Sequence, residues 1–263
     1  MYDKKIYIFI IILIVIILGL GGFIALDKLV LNRKENSVIT QIGEKEIDLN
    51  IFYQINNTLD KFDKAFNDNN SSFFGYPYSK EKIKASDFDQ TAALYLAIYD
   101  DLEGTNIQEK ISSGIVKSNF ENIFGNNLEY NASNISAGER YAITYDKQTD
   151  NYIYNFPTIR TIYSPEFVEI NLKTTLEEGK LIVYRKVFYV EFTSNPGGTD
   201  ITKANLYTSN DKKKLVATIN LKNGVLNKKE IIARYGSKFA TYKYTFTEKA
   251  ADEYSFYSIE KEK

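Results

Sequence analysis

One stretch restricts the architecture of this chain more than any other. Residues 6–26, IYIFIIILIVIILGLGGFIAL, contain no charged side chain and consist almost entirely of Ile, Leu, Val, Phe and Gly. As a helix rising about 1.5 Å per residue, the segment is long enough to cross a hydrocarbon core of roughly 30 Å. It lacks the polar stripe expected of a helix buried in a globular core. We therefore expect residues 6–26 to form a transmembrane helix.

The flanking sequence favours an uncleaved signal-anchor. Phe23 stands two positions before Ala25, where signal peptidase requires a small residue, and the absence of cysteine excludes a lipoprotein signal. The basic residues on the two sides nearly balance, so orientation is inferred from size. A short tail (1–5) precedes the segment, and a stalk (27–36) and a large domain follow it. We expect a single-pass protein of the cell membrane with a cytoplasmic N-terminus and an extracytoplasmic C-terminal domain; a domain that faces the cytoplasm is the alternative.

The composition limits the chemistry available to that domain. The 263 residues include no cysteine and no histidine, while hydrophobic residues make up 44% and aromatic residues 14%. A core can therefore form without disulfides. Ser-His-Asp triads, cysteine nucleophiles and histidine-ligated zinc are excluded. No Walker loop or G-x-G-x-x-G motif is present. We expect no cofactor, no metal site and no nucleic-acid partner.

Charge is unevenly distributed along the chain. Residues 27–171 contain 14 Lys or Arg and 22 Asp or Glu, a net charge of −8, whereas residues 172–249 contain 15 and 7, a net charge of +8. The halves could pack together with complementary fields. Alternatively, the basic half could face an anionic surface such as phospholipid headgroups or an anionic wall polymer. Lysines that only keep strand faces and turns in solvent would give the same pattern.

Apolar residues at three- and four-residue spacing predict three helices before about residue 125. Asp48 is placed to cap the first, Ser86 the second and Asn106 the third, and Gly125 follows the third as its C′ residue. The positions predicted to face inward are Leu49, Phe52, Ile55, Leu59, Phe62 and Phe66; then Phe88, Ala92, Tyr95, Tyr99 and Leu102; then Ile107, Ile111, Ile115, Phe120 and Phe124. A short strand is expected before the first helix, at residues 38–42, and a loop after it, at residues 67–80.

From Tyr141 onward the apolar period becomes two, which predicts strands. The predicted strands lie at residues 141–145, 152–156, 168–172, 182–192, 201–208, 214–221, 240–247 and 254–259. Two interpretations remain for the segment before the last pair: a helix at 228–235 capped by Asn227, or a hairpin turn at Asn223-Gly224. Helices followed by strands indicate an α+β fold with a mainly antiparallel sheet. We assign residues 37–263 to one α+β domain, helical over 37–125 and β-rich over 126–263.

Several short motifs occur in a particular order. NIFG (122–125) ends a helix, YAITYD (141–146) begins the strands, and YKYTF (242–246) with YSFYSIEK (254–261) closes the chain. Over most of residues 86–263 this order resembles a set of small membrane-anchored extracytoplasmic proteins of low-GC Gram-positive or wall-less bacteria, which have no assigned function. The resemblance implies location and architecture, not activity. At the level of fold alone, the order of elements is similar to NTF2-like and cystatin-like domains.

Carboxylates are the remaining candidates for catalysis, because a hydrolase of glycans needs only two acids at a fixed separation. Asp87 with Asp89 forms one candidate group, and Asp100, Asp101 and Glu103 form another. Acids at a helix start also favour the helix dipole, which gives the first group a structural explanation. The second group has the structural explanation of solvated surface residues.

Three further patterns have both a functional and a structural explanation. Ser209–Lys212 and Ser258–Lys261 match a Ser-x-x-Lys spacing, although neither promises a buried lysine. Asp68-Asn69-Asn70 offers oxygen ligands but lacks the EF-hand spacing.

A last pattern concerns one of the closing strands. Tyr242, Tyr244 and Phe246 share a strand face, opposite Lys243 and Thr245. This aromatic stripe could grip a sugar or a partner protein, but it is also what the core face of a sheet requires.

These features predict a membrane-anchored extracytoplasmic module that binds or assembles envelope components without catalysis. Its partners would be envelope proteins or anionic envelope polymers, besides the membrane that holds its own helix. They would be reached by the basic half or by the loops at 67–80 and 194–200. The alternative is a carboxylate-dependent hydrolase acting on cell-envelope glycans. No catalytic, cofactor-binding or metal-binding residue is assigned.

Overall fold

The fold is α+β. The computed structural model describes residues 47–67, 78, 80–99, 109–137, 141–154, 167–194, 201–209 and 211–262. Its α-helices are α1 (Leu49–Asn67), α2 (Gln90–Ile98), α3 (Ser113–Phe124) and α4 (Lys228–Tyr235). Its strands are β1 (Lys82–Lys84), β2 (Lys110–Ser112), β3 (Ile135–Ala137), β4 (Tyr141–Asp146), β5 (Asn151–Tyr154), β6 (Phe167–Glu177), β7 (Lys180–Ser194), β8 (Ile201–Tyr207), β9 (Leu215–Asn220), β10 (Ala240–Ala250) and β11 (Glu253–Lys261).

The predicted transmembrane helix (6–26), the stalk (27–36) and the strand at 38–42 lie outside the described residues. Within the described part of the chain, no helix combines the length and the apolar content needed to cross a bilayer.

Helix α1 begins where the sequence predicts. The side chain of Asp48 accepts a hydrogen bond from the backbone N–H of Asn50 at 2.7 Å, which satisfies one of the free N–H groups at the helix start. Leu49, however, is 70% exposed rather than buried. It lies two residues from Ile51, a rotation of about 200° that puts it on the opposite side of the helix. The buried face consists of Ile51, Ile55, Leu59, Phe62 and Ala65.

Helix α2 starts later than predicted. Its N-cap is Asp89, not Ser86, and the Asp89 side chain accepts a hydrogen bond from the backbone N–H of Ala92 at 2.7 Å. Residues 85–87 form a separate 3₁₀ turn, because the Asp87 carboxylate accepts a hydrogen bond from the backbone N–H of Lys84 at 2.8 Å. All residues from 92 to 98 are buried, so α2 has no solvent face and packs among α1, α3 and β3.

Helix α3 also differs from its predicted boundaries. Its N-cap is Ser112, whereas the predicted cap Asn106 lies outside the described residues. Ile111 is buried within strand β2, and Ile115 is 50% exposed, because the inward face of α3 runs through its neighbour Val116. Gly125 follows α3 with φ of 52°, which confirms the predicted C-terminal glycine. The inward side chains of α3 are Val116, Phe120, Ile123 and Phe124.

The larger sheet is built around β7. Its strand order is β1-β11-β10-β7-β8-β9, and β6 pairs with the other edge of β7. The first half of β7, Lys180–Val187, pairs with β10, and its second half, Tyr189–Ser194, pairs with β8. Each pairing is antiparallel, as the sequence predicts. A second antiparallel sheet has the order β2-β5-β4-β3. The three-residue strands β1 and β2 fall within residues 37–125, and they are too short to show a two-residue period.

The core face of the larger sheet contains the aromatic stripe of β10. Tyr242, Tyr244 and Phe246 are all buried, so the structural explanation of that stripe is confirmed. The ring of Phe62 from α1 lies 6.5 Å from the ring of Tyr244 and 4.7 Å from that of Phe256. Full burial of one such ring contributes about 1.5–3 kcal/mol, so this face supplies much of the folding free energy. It also holds the first helix against the sheet.

Both interpretations of the segment before β10 are confirmed, because they use different residues. Asn223 and Gly224 have φ of 55° and 72°, and a bridge between Lys222 and Val225 closes the turn. Helix α4 follows, and the side chain of its N-cap Asn227 accepts a hydrogen bond from the backbone N–H three residues later at 3.2 Å.

Candidate functional site

The most strongly charged surface is the segment from β8 through α4, residues 201–238, which we call the basic arm. Its sequence contains nine Lys or Arg and two Asp or Glu, a net charge of +7. Strands β8 and β9 extend the sheet from the second half of β7, and no described strand pairs with the outer edge of β9. The arm therefore presents positive charge at one end of the sheet.

Some charges of the arm are neutralised locally. Lys212 pairs with Glu191 at 3.3 Å, Lys213 with Asp211 at 3.1 Å, and Arg234 with its α4 neighbour at i−4 at 2.9 Å. Hydrogen bonds to the carboxylate of Asp211, first from Ser209 and then from the Lys213 backbone, lower the pKa of Asp211 to about 2. The exposed lysines that form no ion pair with a described residue are Lys203, Lys214, Lys222, Lys228, Lys229 and Lys238.

The end of the arm at the 223–224 turn also exposes apolar side chains. Val225 is 67% exposed and Ile201 is 40% exposed. They belong to the same end, because the backbone N–H of Leu221 donates to the carbonyl of Thr202 at 2.8 Å and Gly224 lies against Ile201. The other end of the hairpin exposes Leu215, which is 53% accessible.

A cleft of about 480 Å³ lies between the end of α3 and strand β10. Its lining includes two carboxylates, Glu121 and Glu129, together with Tyr130 and Lys249. The Lys249 ammonium pairs with Glu253 at 3.2 Å and donates to the carbonyl of Glu121 at 3.5 Å, so that cation is already engaged. The cleft therefore has two carboxylates, Glu121 and Glu129, along one depression in the surface.

Beneath the sheet, a buried ion pair joins α1 to β7. Arg185 Nη1 and Nη2 donate to Asp63 Oδ1 and Oδ2 at 2.7 and 2.6 Å. The Tyr244 ring lies 5.0 Å from the centre of the guanidinium group, within the range of a cation–π interaction. Burial opposes the charge of Arg185, but the adjacent Asp63 carboxylate outweighs it, and the pKa of Arg185 is raised above its ordinary value. The guanidinium therefore stays charged.

A second buried acid, Glu169 of β6, lies in the same core. Tyr78 Oη donates to Glu169 Oε1 at 2.7 Å, and it also contacts the hydroxyl of Tyr244. Burial, and then repulsion by Asp63, raises the pKa of Glu169 well above its ordinary value. This network is sealed in the core and is suited to fixing structure rather than to meeting a ligand.

Sequence reasoning assigned no role to Asp63, Glu169 or Arg185. A signal was present, because Glu169 interrupts the apolar run FVEI and Arg185 interrupts LIVYRKVFYV. A charge at such a position must be paired or neutral when the strand is buried. The partner of Arg185 is Asp63 on α1, which is 122 residues away, so no local sequence pattern links the two.

The carboxylates singled out from the sequence have structural roles or lie outside the described residues. Asp87 and Asp89 each cap a turn through the hydrogen bonds given above, and Asp100, Asp101 and Glu103 are not described. The acids that line the cleft, Glu121 and Glu129, were not among the sequence candidates, since neither has a second acid within four residues.

The Ser-x-x-Lys pairs are not brought together. Ser209 donates to Asp211 at 2.6 Å while Lys212 pairs with Glu191. Ser258 and Lys261 lie three residues apart on β11, so their side chains point to opposite faces. Asp68-Asn69-Asn70 lies outside the described residues. Among the residues that the structure describes, no three acids group as metal ligands would.

Comparison with protein families, with curated proteins and with solved structures finds no match for this chain. The basic arm and the cleft are therefore the two sites from which a function can be argued.

Proposed function

We propose that the chain is a membrane-anchored extracytoplasmic module that binds or assembles envelope components without catalysis. Residues 6–26 would hold it in the cell membrane as a single-pass signal-anchor, with the N-terminus cytoplasmic. The basic arm would be its binding surface. Its partners would be envelope proteins or anionic envelope polymers.

One observation carries this proposal: among the described residues, exposed lysines that form no ion pair are concentrated in the arm. Six exposed lysines there form no ion pair with a described residue. Outside the arm, several basic side chains have an acid beside them, as Lys82 has Glu260 at 2.7 Å. A surface with uncompensated charge of one sign attracts polyanions and steers their approach. The chemistry of the arm thus fits a binding role and offers no nucleophile with a base beside it.

Binding is tested with the full-length chain in mild detergent. Retention on isolated anionic envelope polymers is compared between the wild-type chain and a variant with Lys203→Gln, Lys222→Gln and Lys228→Gln. The matched control removes the same charge from exposed lysines outside the arm, Lys80→Gln, Lys84→Gln and Lys147→Gln. We expect the arm variant to lose retention and the control to keep it. Equal retention by both variants would remove the arm from the proposal.

A second candidate function rests on the cleft. Two carboxylates in a concave site could serve as acid and base in glycan hydrolysis, and Glu121 and Glu129 occupy that position. The test is turnover of envelope glycans by the full-length chain. Turnover that Glu121→Gln and Glu129→Gln each abolish, while Glu109→Gln leaves it unchanged, would establish the hydrolase and contradict the binding proposal. Absence of turnover by a chain that binds polymer would favour the binding role.

A further inference from the structure

The two ends of the arm's hairpin differ in charge and in exposed apolar surface. At the 212–214 end, two of the three lysines are paired, with Glu191 and Asp211. At the other end, Lys203, Lys222 and Lys228 form no ion pair with a described residue. Both ends expose an aliphatic side chain, but among the described residues the first end has one unpaired lysine, Lys214, and the second has three.

We propose that this second end docks on an anionic phospholipid bilayer. Val225 and Ile201 enter the headgroup region, and Lys203, Lys222 and Lys228 contact lipid phosphates around them. The inference rests on the proposed binding role of the arm and names the partner of this end as the bilayer itself. The docking surface would be a second contact with the membrane, far in sequence from the predicted anchor.

The apolar side chains distinguish a bilayer from a soluble polyanion. A phosphate polymer in water would satisfy the lysines but would leave Val225 in solvent, where the structure already holds it 67% exposed. The headgroup boundary accepts both kinds of group, because apolar side chains reach the acyl region while cations remain at the phosphates. The combination is therefore typical of interfacial docking.

The local backbone keeps the apolar tip in place. Asn223 and Gly224 adopt positive φ, and the Lys222–Val225 bridge closes a tight turn. Asn and Gly are the residues that adopt this conformation at little cost, so Val225 is presented without distortion of the turn. Helix α4 begins at Lys228, so a third exposed lysine follows Val225 after only three residues. Each lysine near an anionic surface favours binding by a factor of about five.

The chain contains no cysteine, so a single introduced thiol gives a unique reporter. Full-length Val225→Cys, labelled with an environment-sensitive fluorophore, is reconstituted into vesicles of phosphatidylcholine alone or with phosphatidylglycerol. Leu215→Cys, labelled in the same way, is the matched control at the other end of the hairpin. We expect a blue shift and quenching by lipid-borne nitroxide at position 225 in anionic vesicles, with neither in neutral vesicles nor at position 215.

Charge variants then test the lysines. In the labelled Val225→Cys chain, Lys203→Gln, Lys222→Gln and Lys228→Gln together should abolish the blue shift. The control substitutions Lys80→Gln, Lys84→Gln and Lys147→Gln should preserve it. High salt should also reduce the shift, because exposed charges are screened.

Two results would overturn docking on lipid. The first is no change in the fluorescence of the label at position 225 on addition of anionic lipid, while retention on envelope polymer still depends on the arm lysines. This result would not affect the proposed function. The second is an equal response at positions 215 and 225, which would show only proximity to the vesicle. If neither lysine variant loses polymer retention or the lipid response, the arm is not the binding surface, and the proposed function is rejected with it.

Discussion

Arg185 of β7 donates two parallel hydrogen bonds to the carboxylate of Asp63 of α1, although the residues are 122 positions apart. The arginine side chain is 3% exposed and the aspartate side chain 29%, so the pair is shielded chiefly on the arginine side. The two-point contact fixes the position of α1 along the sheet as well as its distance. It links the first described helix to the strand around which the larger sheet is built.

Breaking this pair on one side should destabilise the domain strongly. Asp63→Asn leaves the guanidinium buried without its counter-charge, and we expect a loss of about 3–5 kcal/mol in the free energy of unfolding. Replacing both partners, as Asp63→Leu with Arg185→Met, should cost less than the sum of the costs of Asp63→Leu alone and Arg185→Met alone. The measurement is a double-mutant cycle by denaturant unfolding. The exposed pair is the control: Lys82→Gln should change stability by about 0–1 kcal/mol. Additive effects at positions 63 and 185 would show that the pair is not coupled.

Glu169 should make stability fall as pH rises. Its pKa in the folded state is raised above the ordinary 4.5, mainly by burial, so the folded state retains a proton that the unfolded chain releases. This contribution is complete below pH 4.5 and is lost as pH rises toward the raised pKa. We expect Glu169→Gln to gain stability relative to wild type across that window, in unfolding curves recorded at several pH values.

Glu191 provides the control of opposite sign. Hydrogen bonds from Tyr207 and then Lys212 lower its pKa, so its contribution is present above the ordinary value and is lost as pH falls. Glu191→Gln should therefore lose stability relative to wild type at neutral pH and match it in acid. For each variant, the difference in free energy of unfolding from wild type is plotted against pH. Differences that change with pH in the same direction for both variants would contradict the assigned pKa directions.

Gly125 should not tolerate a side chain. It has φ of 52°, and a Cβ atom there would lie 2.7 Å from Ser255 Oγ and 2.9 Å from Ser255 Cβ. We expect Gly125→Ala to destabilise by about 2–4 kcal/mol from backbone strain and overpacking together. Gly179 separates the two causes, because its φ is 74° and no atom lies within 4 Å of the place that a Cβ atom would take. Gly179→Ala should cost only about 1 kcal/mol. Equal losses of stability at both positions, measured by denaturant unfolding, would remove the steric part of the argument.

Asn127 holds the turn after α3 to the closing strands. Its Nδ2 donates to Thr247 Oγ1 at 3.0 Å, to Ser255 Oγ at 3.1 Å and to the carbonyl of Phe256 at 3.0 Å. Asn127→Asp keeps the shape but replaces the donor to the Phe256 carbonyl, a group that can only accept, with a second acceptor, and we expect a loss of about 2 kcal/mol. Asn126→Asp, on an exposed neighbour in the same turn, should be nearly neutral. Thermal unfolding of both variants distinguishes a specific contact from a general effect of added charge.

Much of this architecture follows from local pattern. Two-residue alternation predicts the long strands, and the cap at Asn227 and the turn at Asn223 are both visible because their causes lie within a few residues. The start of α2 cannot be read from local sequence in this way. Its competing caps are Ser86, Asp87 and Asp89, and only the tertiary structure selects one. Apolar residues fill every position of α2 from 92 to 98, a pattern that indicates a helix buried on all sides.

The buried network and the cleft required the structure. Arg185 and Glu169 could be flagged as charges inside apolar strands, but their partners come from α1 and from Tyr78. Glu121 and Glu129 meet at a cleft only because α3 ends against β10. The basic arm was predicted in part, as a segment of the basic half, whereas the contrast between its two ends depends on which lysines find acids nearby.

Protease accessibility in intact protoplasts tests whether the domain lies outside the cytoplasm on a membrane anchor. External protease is added to cells that produce the full-length chain, with a cytosolic protein as the control for lysis. We expect residues 37–263 to be degraded while the cytosolic control stays intact. Protection of those residues until the membrane is lysed, followed by cleavage, would place the domain in the cytoplasm and contradict the proposed function.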